Sequence, residues 1–380
     1  RVQPRRSRWR TRRGASSRSK LLPDRSDSTE ASGSGQGRRL EARLGSASVS
    51  DLPVIRPRRL RRTAALRELV AENRVSVTDL VAPLFVREGI DEPQPIPSLP
   101  GIVQHTRDSL RAEVADLAEL GVKAVILFGV PQHKDAVGSG AFDPAGIVQV
   151  ALTDLRSDLG DEVVVMADLC VDEYTDHGHC GIVDDDGTVD NDATVEIYVR
   201  AALAQARAGA HVVAPSGMMD GQVAAIRGGL DDEGFHDVAI LAYSAKYATA
   251  LYGPFRDAVD VTIAGGGDRT TYQQDVRNAR ESVREIQLDI DEGADMVMVK
   301  PALSYLDVIA DAAAVVDVPL AAYHVSGEYA MIHAAGEKGW IDADAVALEH
   351  LTSIKRAGAD VVVTYCTRWF AEEAAAGRIG

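Results

Sequence analysis

The sequence has few cysteines, no apolar run long enough to cross a bilayer and no excess of basic charge, and each shortage removes a class of protein. Three cysteines, Cys170, Cys180 and Cys366, in 380 residues are too few and too unevenly placed for a disulfide scaffold. A reducing compartment follows, with the cytoplasm as the expected location. Charges and glycines interrupt every Val/Ala-rich stretch before it reaches the roughly 18 residues a membrane span needs, so no membrane partner is expected. The formal charge of −16 excludes a general nucleic-acid binder, which needs a basic face to displace counterions from phosphates. Any basic binding surface must be local.

Large apolar side chains are also scarce in residues 1–51, a tract of Arg, Ser and Gly that cannot bury enough surface to offset its ordering entropy. It reads as a disordered tail, and its acid-poor composition also fits an organelle transit peptide. Residues 52–80 turn amphipathic and suit an N-terminal arm lying on a neighbouring subunit. Residues 81–380 then repeat one unit: an amphipathic helix, a glycine near its end, and a short Val/Ile/Ala-rich run of the kind a fully buried parallel strand requires. The punctuation recurs at LGVKAVILFGV, AGAHVVAPS, EGADMVMVK and AGADVVVTY. The expected strands are Val81–Val86, Ala124–Val130, Val163–Leu169, His211–Ser216, Ala239–Ala245, Met296–Lys300, Pro319–Val325 and Val361–Tyr365. Helical patterns between them include Asp108–Leu120, Ala193–Ala208, Asp275–Glu292 and Ala343–Ala357. Eight strands alternating with helices predict an α/β fold of the (β/α)8 TIM-barrel type. A doubly wound open sheet expects a glycine-rich phosphate loop after its first strand, and Val86-Arg87-Glu88-Gly89 supplies none.

Barrel active sites lie at the C-terminal strand ends. Here those ends carry Asp168 and Cys170, Ser216, Lys246, Lys300, Tyr323 and Ser326, and Tyr365. Neighbouring strands run roughly 5 Å apart, so Lys246 and Lys300 should stand side by side at one mouth. Each follows an apolar run (AILAYSAK, MVMVK). Burial and mutual repulsion should lower both toward the neutral amine that attacks a carbonyl, making paired Schiff bases chemically reasonable. A solvated or salt-bridged side chain is the reading that fits either lysine alone. The segment from Tyr252-Gly-Pro-Phe255-Arg256 to Gly265-Gly-Gly-Asp-Arg269-Thr-Thr-Tyr-Gln273 reads as a lid, because a glycine triplet cannot hold one conformation unaided. Its two arginines fit a carboxylate clamp, or an exposed basic loop.

The stretches SAKYATALYGPFRDA, EGADMVMVKPALSYLDVI, AAYHVSGEYAMI and DLCVDEYTDHGHCG resemble the porphobilinogen synthase (5-aminolevulinate dehydratase) family, from about Arg56 to the C-terminus. The resemblance implies a TIM barrel with an N-terminal arm, commonly a homo-octamer, that condenses two molecules of 5-aminolevulinate to porphobilinogen with loss of two waters. It implies that Lys300 forms the Schiff base with the substrate supplying the propionate side, and Lys246 with the one supplying the acetate and aminomethyl side. Tyr323, Ser326 and Tyr365 would contact the first substrate. Asp168 and Ser216 would orient the amine of the second, and Arg256, Arg269 and Gln273 would clamp a carboxylate beside Tyr252 and Phe255.

Cys170, Asp172 and Cys180 gather two thiols and a carboxylate on one loop, and three ligands with an open position is the plan of a catalytic zinc site. Zinc-dependent members of the resembled family carry three cysteines here, and magnesium users mainly carboxylates. The soft thiolates favour a weakened Cys/Asp/Cys zinc site, and two unliganded cysteines are the other reading. His177 and His179 read as orienting or solvent-facing groups. Glu285 matches a position where some members bind an allosteric magnesium, or is an ordinary helix-surface carboxylate. The family often has Asp where this chain has Gly217, and Arg where it has Gln222. A class I aldolase would need only one of the lysines. A silent barrel serving as an assembly subunit would need neither.

Overall fold

The computed structural model describes residues 55–263 and 268–379; the expected disordered tail and the glycine triplet at 265–267 lie outside them. The chain divides into two compact units with the boundary after Leu69, inside the expected arm. The first unit's described part is a 3-10 turn, Pro57–Arg61, followed by helix α1, Ala64–Leu69. An Arg67 guanidinium nitrogen donates to the Arg61 carbonyl at 2.9 Å.

In the second unit, eight parallel strands close on themselves. They are β1 Leu80–Arg87, β2 Ala124–Val130, β3 Val164–Leu169, β4 Val212–Pro215, β5 Ala239–Lys246, β6 Met296–Lys300, β7 Leu320–His324 and β8 Val361–Thr364. Each pairs with the next, and β8 returns to β1 through Leu80↔Val362 and Val81↔Val363, so the barrel has no free edge. The expected strands coincide with these to within a residue at each end. Outside the staves pack helices that include α2 Arg107–Glu119, α3 Ile147–Leu159, α4 Asn191–Arg207, α5 Gln222–Asp232, α6 Gly253–Ala258, α7 Arg280–Asp291 and α8 Leu306–Ala313. After β7 and β8 follow α9 Ser326–Glu337, α10 Ala343–Ala357 and α11 Thr367–Ala375. The glycines read as punctuation do end helices: Gly209 and Gly358 sit at φ +100° and +119°, left-handed values that reverse the chain into the next strand. Helix α7 begins five residues later than its periodicity suggests. Asp275 instead folds a local turn, its carboxylate accepting from the Arg277 amide at 2.9 Å, which competes with helix formation.

One irregularity decides what the barrel mouth contains. Leu241 pairs with Met296 and Ala242 with Val297, but Ala245 pairs with Val299 and Lys246 with Lys300, so β5 carries one residue more than β6 over this stretch. Tyr243 points inward, its ring 4.9 Å from Lys300 Nζ. Strict alternation would then put Ala245 inside and Lys246 out among the helices. The bulge turns Lys246 back into the mouth, re-aiming a side chain as bulges beside active sites do.

Candidate active site

Lys246 and Lys300 are direct cross-strand partners, both buried. Their surroundings differ. Lys300 Nζ sits in an aromatic box, 4.4 Å from the Tyr323 ring centroid, 4.9 Å from Tyr243 and 5.3 Å from both Tyr252 and Phe255. Among the described residues its amine has no hydrogen-bond partner. Burial, then the neighbouring Lys246 ammonium, brings Lys300 down to about 7. Lys246 Nζ donates to the Ser216 carbonyl at 2.5 Å. Burial alone would lower it as well, but the negative field of Cys180, Cys170, Asp172 and Asp168 outweighs burial and raises it. The expectation that both lysines are lowered therefore holds for Lys300 and fails for Lys246, because Cys180 and Cys170 lead the opposition to burial at Lys246, whereas at Lys300 the Lys246 ammonium adds to it.

Asp168 reaches the mouth from β3. One carboxylate oxygen accepts from the Ser216 hydroxyl at 3.1 Å; the other is buried near the Tyr243 hydroxyl and, among the described residues, has no partner of good hydrogen-bond geometry. Burial raises this carboxyl to about 6, against the pull of Lys300 and Lys246. A buried acceptor with spare capacity is an open place for a donor on a substrate. The central cavity is lined by the predicted Asp168, Asp172, Ser216, Lys246, Lys300, Tyr252, Phe255, Arg256 and Arg269, and by two residues that sequence reasoning missed, Phe128 and Glu173. Glu173 follows Asp172 directly, so its adjacency to the loop was the available signal; Phe128 lies within an all-apolar strand and offered none. A wider cavity of about 450 Å³ adjoins it, lined by Arg256, Arg269 and Gln273 among others.

Tyr323 and Tyr365 bring their hydroxyls within 3.3 Å of each other. Ser326, at the start of α9, accepts from the Phe255 amide at 3.0 Å, tying the beginning of the lid segment to the seventh strand's end. Arg256 is half-buried with no ion-pair partner among the described residues, as a guanidinium reserved for an incoming anion would be. Arg269 is not free. It donates to the Asp172 carboxylate at 2.6 Å and to the Gly178 carbonyl at 2.9 Å, so a clamp candidate and a metal-ligand candidate meet in one buried ion pair. Against the upward push of burial, Arg269 and then Lys246 hold the Asp172 carboxyl far below the usual range.

The ligand atoms of Cys170, Asp172 and Cys180 lie within 4.8 Å of one another, and all three residues are buried. The thiols are unlike. Burial, then its bond to Cys180, pushes Cys170 well up, whereas at Cys180 the effect of burial is overcome by that same bond and by Arg269, lowering it. Two thiols and a carboxylate, all buried, are a donor set that suits a borderline-soft cation. His179 turns to the Tyr272 hydroxyl and His177 to the Ala136 carbonyl, neither toward the thiols. Glu285 stands apart, in a polar cavity of about 370 Å³ that Asp220, Asp275 and Glu281 also line. Burial, then Asp220, raises it.

Comparison with known proteins identifies the family. The family model for delta-aminolevulinic acid dehydratase matches residues 54–373. The chain is similar to the delta-aminolevulinic acid dehydratase of Mycobacterium tuberculosis, 62% identical over 320 residues that cover 84% of this chain and 97% of that protein. It is 60% identical to the Streptomyces coelicolor protein of the same name over 320 residues, covering 84% and 96%. Among solved structures it resembles the Toxoplasma gondii delta-aminolevulinic acid dehydratase in complex with the reaction product porphobilinogen, at TM-score 0.82 and 46% identity over 84% of this chain and 91% of that one.

Proposed function

The chain belongs to the delta-aminolevulinic acid dehydratase family, and on that premise we propose that its reaction runs on the paired amines Lys300 and Lys246. The activity is that of porphobilinogen synthase, a hydro-lyase of tetrapyrrole biosynthesis: two molecules of 5-aminolevulinate condense asymmetrically and two waters leave. The observation that carries the residue assignment is the cross-strand pairing of the two lysines inside the mouth. Two imines formed there hold two ketones on adjacent strands, which converts a bimolecular condensation into a local one. Lys300, lowered and boxed by rings, takes the substrate that supplies the propionate side. Tyr323, Ser326 and Tyr365 receive that substrate, with Ser326 and Tyr365 at its carboxylate. Lys246 takes the substrate that supplies the acetate and aminomethyl side, whose amine faces Asp168 and Ser216.

Arg256, with Arg269 and Gln273, clamps the second carboxylate. Arg256→Ala is the cleaner test, because Arg269 also serves Asp172. A lost charged hydrogen bond is worth about 1.5–3 kcal/mol, roughly a ten- to hundredfold fall in kcat/KM. It should come mainly through KM, and unchanged saturation kinetics would mean the guanidinium only meets water.

Zinc held by Cys170, Asp172 and Cys180 fits the donor set, and when bound it would supply a Lewis acid with an open position for water or a substrate amine. Glu285 would hold a regulatory magnesium. The part of the expected arm before Val70 serves in a homo-octamer, a reading supported by the exposure of Ile55, Leu60 and Leu69, whereas Leu80 already belongs to β1. The cytoplasm is its place, in keeping with three free cysteines; no helix among the described residues is long and apolar enough to cross a membrane. The decisive experiment is a porphobilinogen turnover assay on metal-stripped protein with zinc or magnesium restored. Zinc alone should restore turnover through the thiol site. No turnover with either metal overturns the proposed chemistry.

A further inference from the structure

The two thiols are held from behind by a residue outside the reaction as described so far. Helix α4 presents Thr194 and Tyr198, one turn apart and both fully buried, to the loop that carries Cys180. Thr194 Oγ accepts from the Ile182 amide at 2.9 Å. The Tyr198 hydroxyl donates to the Cys180 carbonyl at 2.6 Å and lies 3.5 Å from Cys170 Sγ. The helix thus grips the backbone on either side of the Cys180–Ile182 stretch, and one phenol touches both cysteine residues.

Tyr198 can stand there only because of Gly217. A Cβ at residue 217 would fall 1.9 Å from the Tyr198 hydroxyl and 2.5 Å from two of its ring carbons, distances real Cβ atoms do not show. Gly217 follows Ser216, whose carbonyl receives Lys246. Its missing side chain therefore opens a volume between the end of β4 and the thiols, and the phenol fills it. At this position glycine serves close approach and nothing else, since its φ is not in the left-handed region.

We propose that Tyr198 and Gly217 form a matched pair that positions Cys170 and Cys180 for a thiolate-bound divalent cation, with Tyr198 as a positioning residue. A phenol has one proton. The short bond commits it to the Cys180 carbonyl, fixing the backbone from which that sulfur hangs, while the same oxygen sets the distance of closest approach for the Cys170 sulfur. Without the hydroxyl the two sulfurs lose a common support, and the donor set widens while the barrel stays intact. Partners behind metal ligands commonly matter by roughly 10–100-fold in affinity.

The inference rests on the metal reading above, and its test separates the two. Wild type, Tyr198→Phe and Gly217→Ala are stripped and titrated with Co²⁺ against a competing chelator, following the thiolate-to-cobalt absorption in the near ultraviolet and, separately, thermal unfolding of the metal-free proteins. Tyr198→Phe should bind cobalt roughly 10–100-fold more weakly, with less thiolate absorption per bound ion and little change in metal-free melting. Gly217→Ala should act in the same direction by displacing the ring. If Gly217→Ala fails to fold, Tyr198→Phe still decides, because it keeps the ring's shape. Wild-type affinity and absorption in Tyr198→Phe overturn the role of the pair and leave the metal reading standing. A wild-type protein that takes up cobalt without any thiolate absorption overturns both. A lowered metal-free melting temperature with unchanged absorption per ion makes Tyr198 an ordinary core residue.

Discussion

Sodium borohydride added in the presence of 5-aminolevulinate should fix a covalent adduct on Lys300, and Lys300→Ala should lose turnover altogether. An imine needs a neutral amine, and burial together with the Lys246 ammonium supplies one near neutral pH, against the weaker attraction of the ring faces for the cation, at an amine with no hydrogen-bond partner among the described residues. A lysine at its ordinary value of about 10.4 has on the order of one amine in a few thousand at pH 7, whereas one at about 7 is half amine. The sign follows directly: the rate of trapping at Lys300 should climb as pH rises through about 7 and level off above it. Lys246→Met removes the neighbouring ammonium that helps lower Lys300, so the trapping profile of that variant should move to higher pH. An unmoved profile would mean that burial alone sets it. An adduct on Lys246 only, with an active Lys300→Ala, would sink the assignment. Lys246 is raised and donates to the Ser216 carbonyl, so borohydride should trap Lys300 ahead of Lys246.

The barrel and its lysines were legible because their signals are local. A buried parallel strand is a run of Val, Ile and Ala, and eight such runs with intervening helices leave few architectures. What the pattern could not carry is anything that depends on three-dimensional neighbours. Period-two alternation through AILAYSAK puts Lys246 on the wrong side of the strand, and only the extra residue before Ala245 corrects it. The lowering expected for both lysines failed for Lys246, because the charges that raise it arrive from the loop after a strand distant in sequence. Tyr198 reads as one more core aromatic of an amphipathic helix, and the departure to Gly at 217 reads as a change in a loop; their dependence on each other exists only where helix and strand end meet. The candidate clamp and the candidate metal loop each stand out as a motif, but that Arg269 and Asp172 share one ion pair does not, since 97 residues separate them.

That shared pair makes Asp172 a position where a single substitution should cost much stability. Asp172→Ala leaves the Arg269 guanidinium almost wholly buried with the Gly178 carbonyl as its remaining acceptor and Nε already unpartnered. Removing one member of a buried pair costs about 3–5 kcal/mol, because the survivor keeps its desolvation penalty without its counter-charge. A drop in melting temperature of several degrees or more should follow. Asp172→Cys should separate the residue's two roles. Without metal it should be destabilised as well, since a neutral thiol does not balance Arg269. With zinc it should recover more than wild type gains, because three soft ligands bind the ion more tightly than two and a carboxylate, and binding to the folded state adds RT ln(1 + [L]/Kd). In wild type a cation bound at the thiols would compete with Arg269 for the same carboxylate, so metal loading should free Arg269 toward a substrate carboxylate and lower KM along with its effect on kcat. The measurements are melting curves and metal content of wild type, Asp172→Ala, Asp172→Cys and the Cys170→Ala/Cys180→Ala double variant, each stripped and reconstituted with zinc. A double variant that keeps full activity with no metal bound would show that the loop serves Arg269 alone, and that the lysines work without a cation beside them.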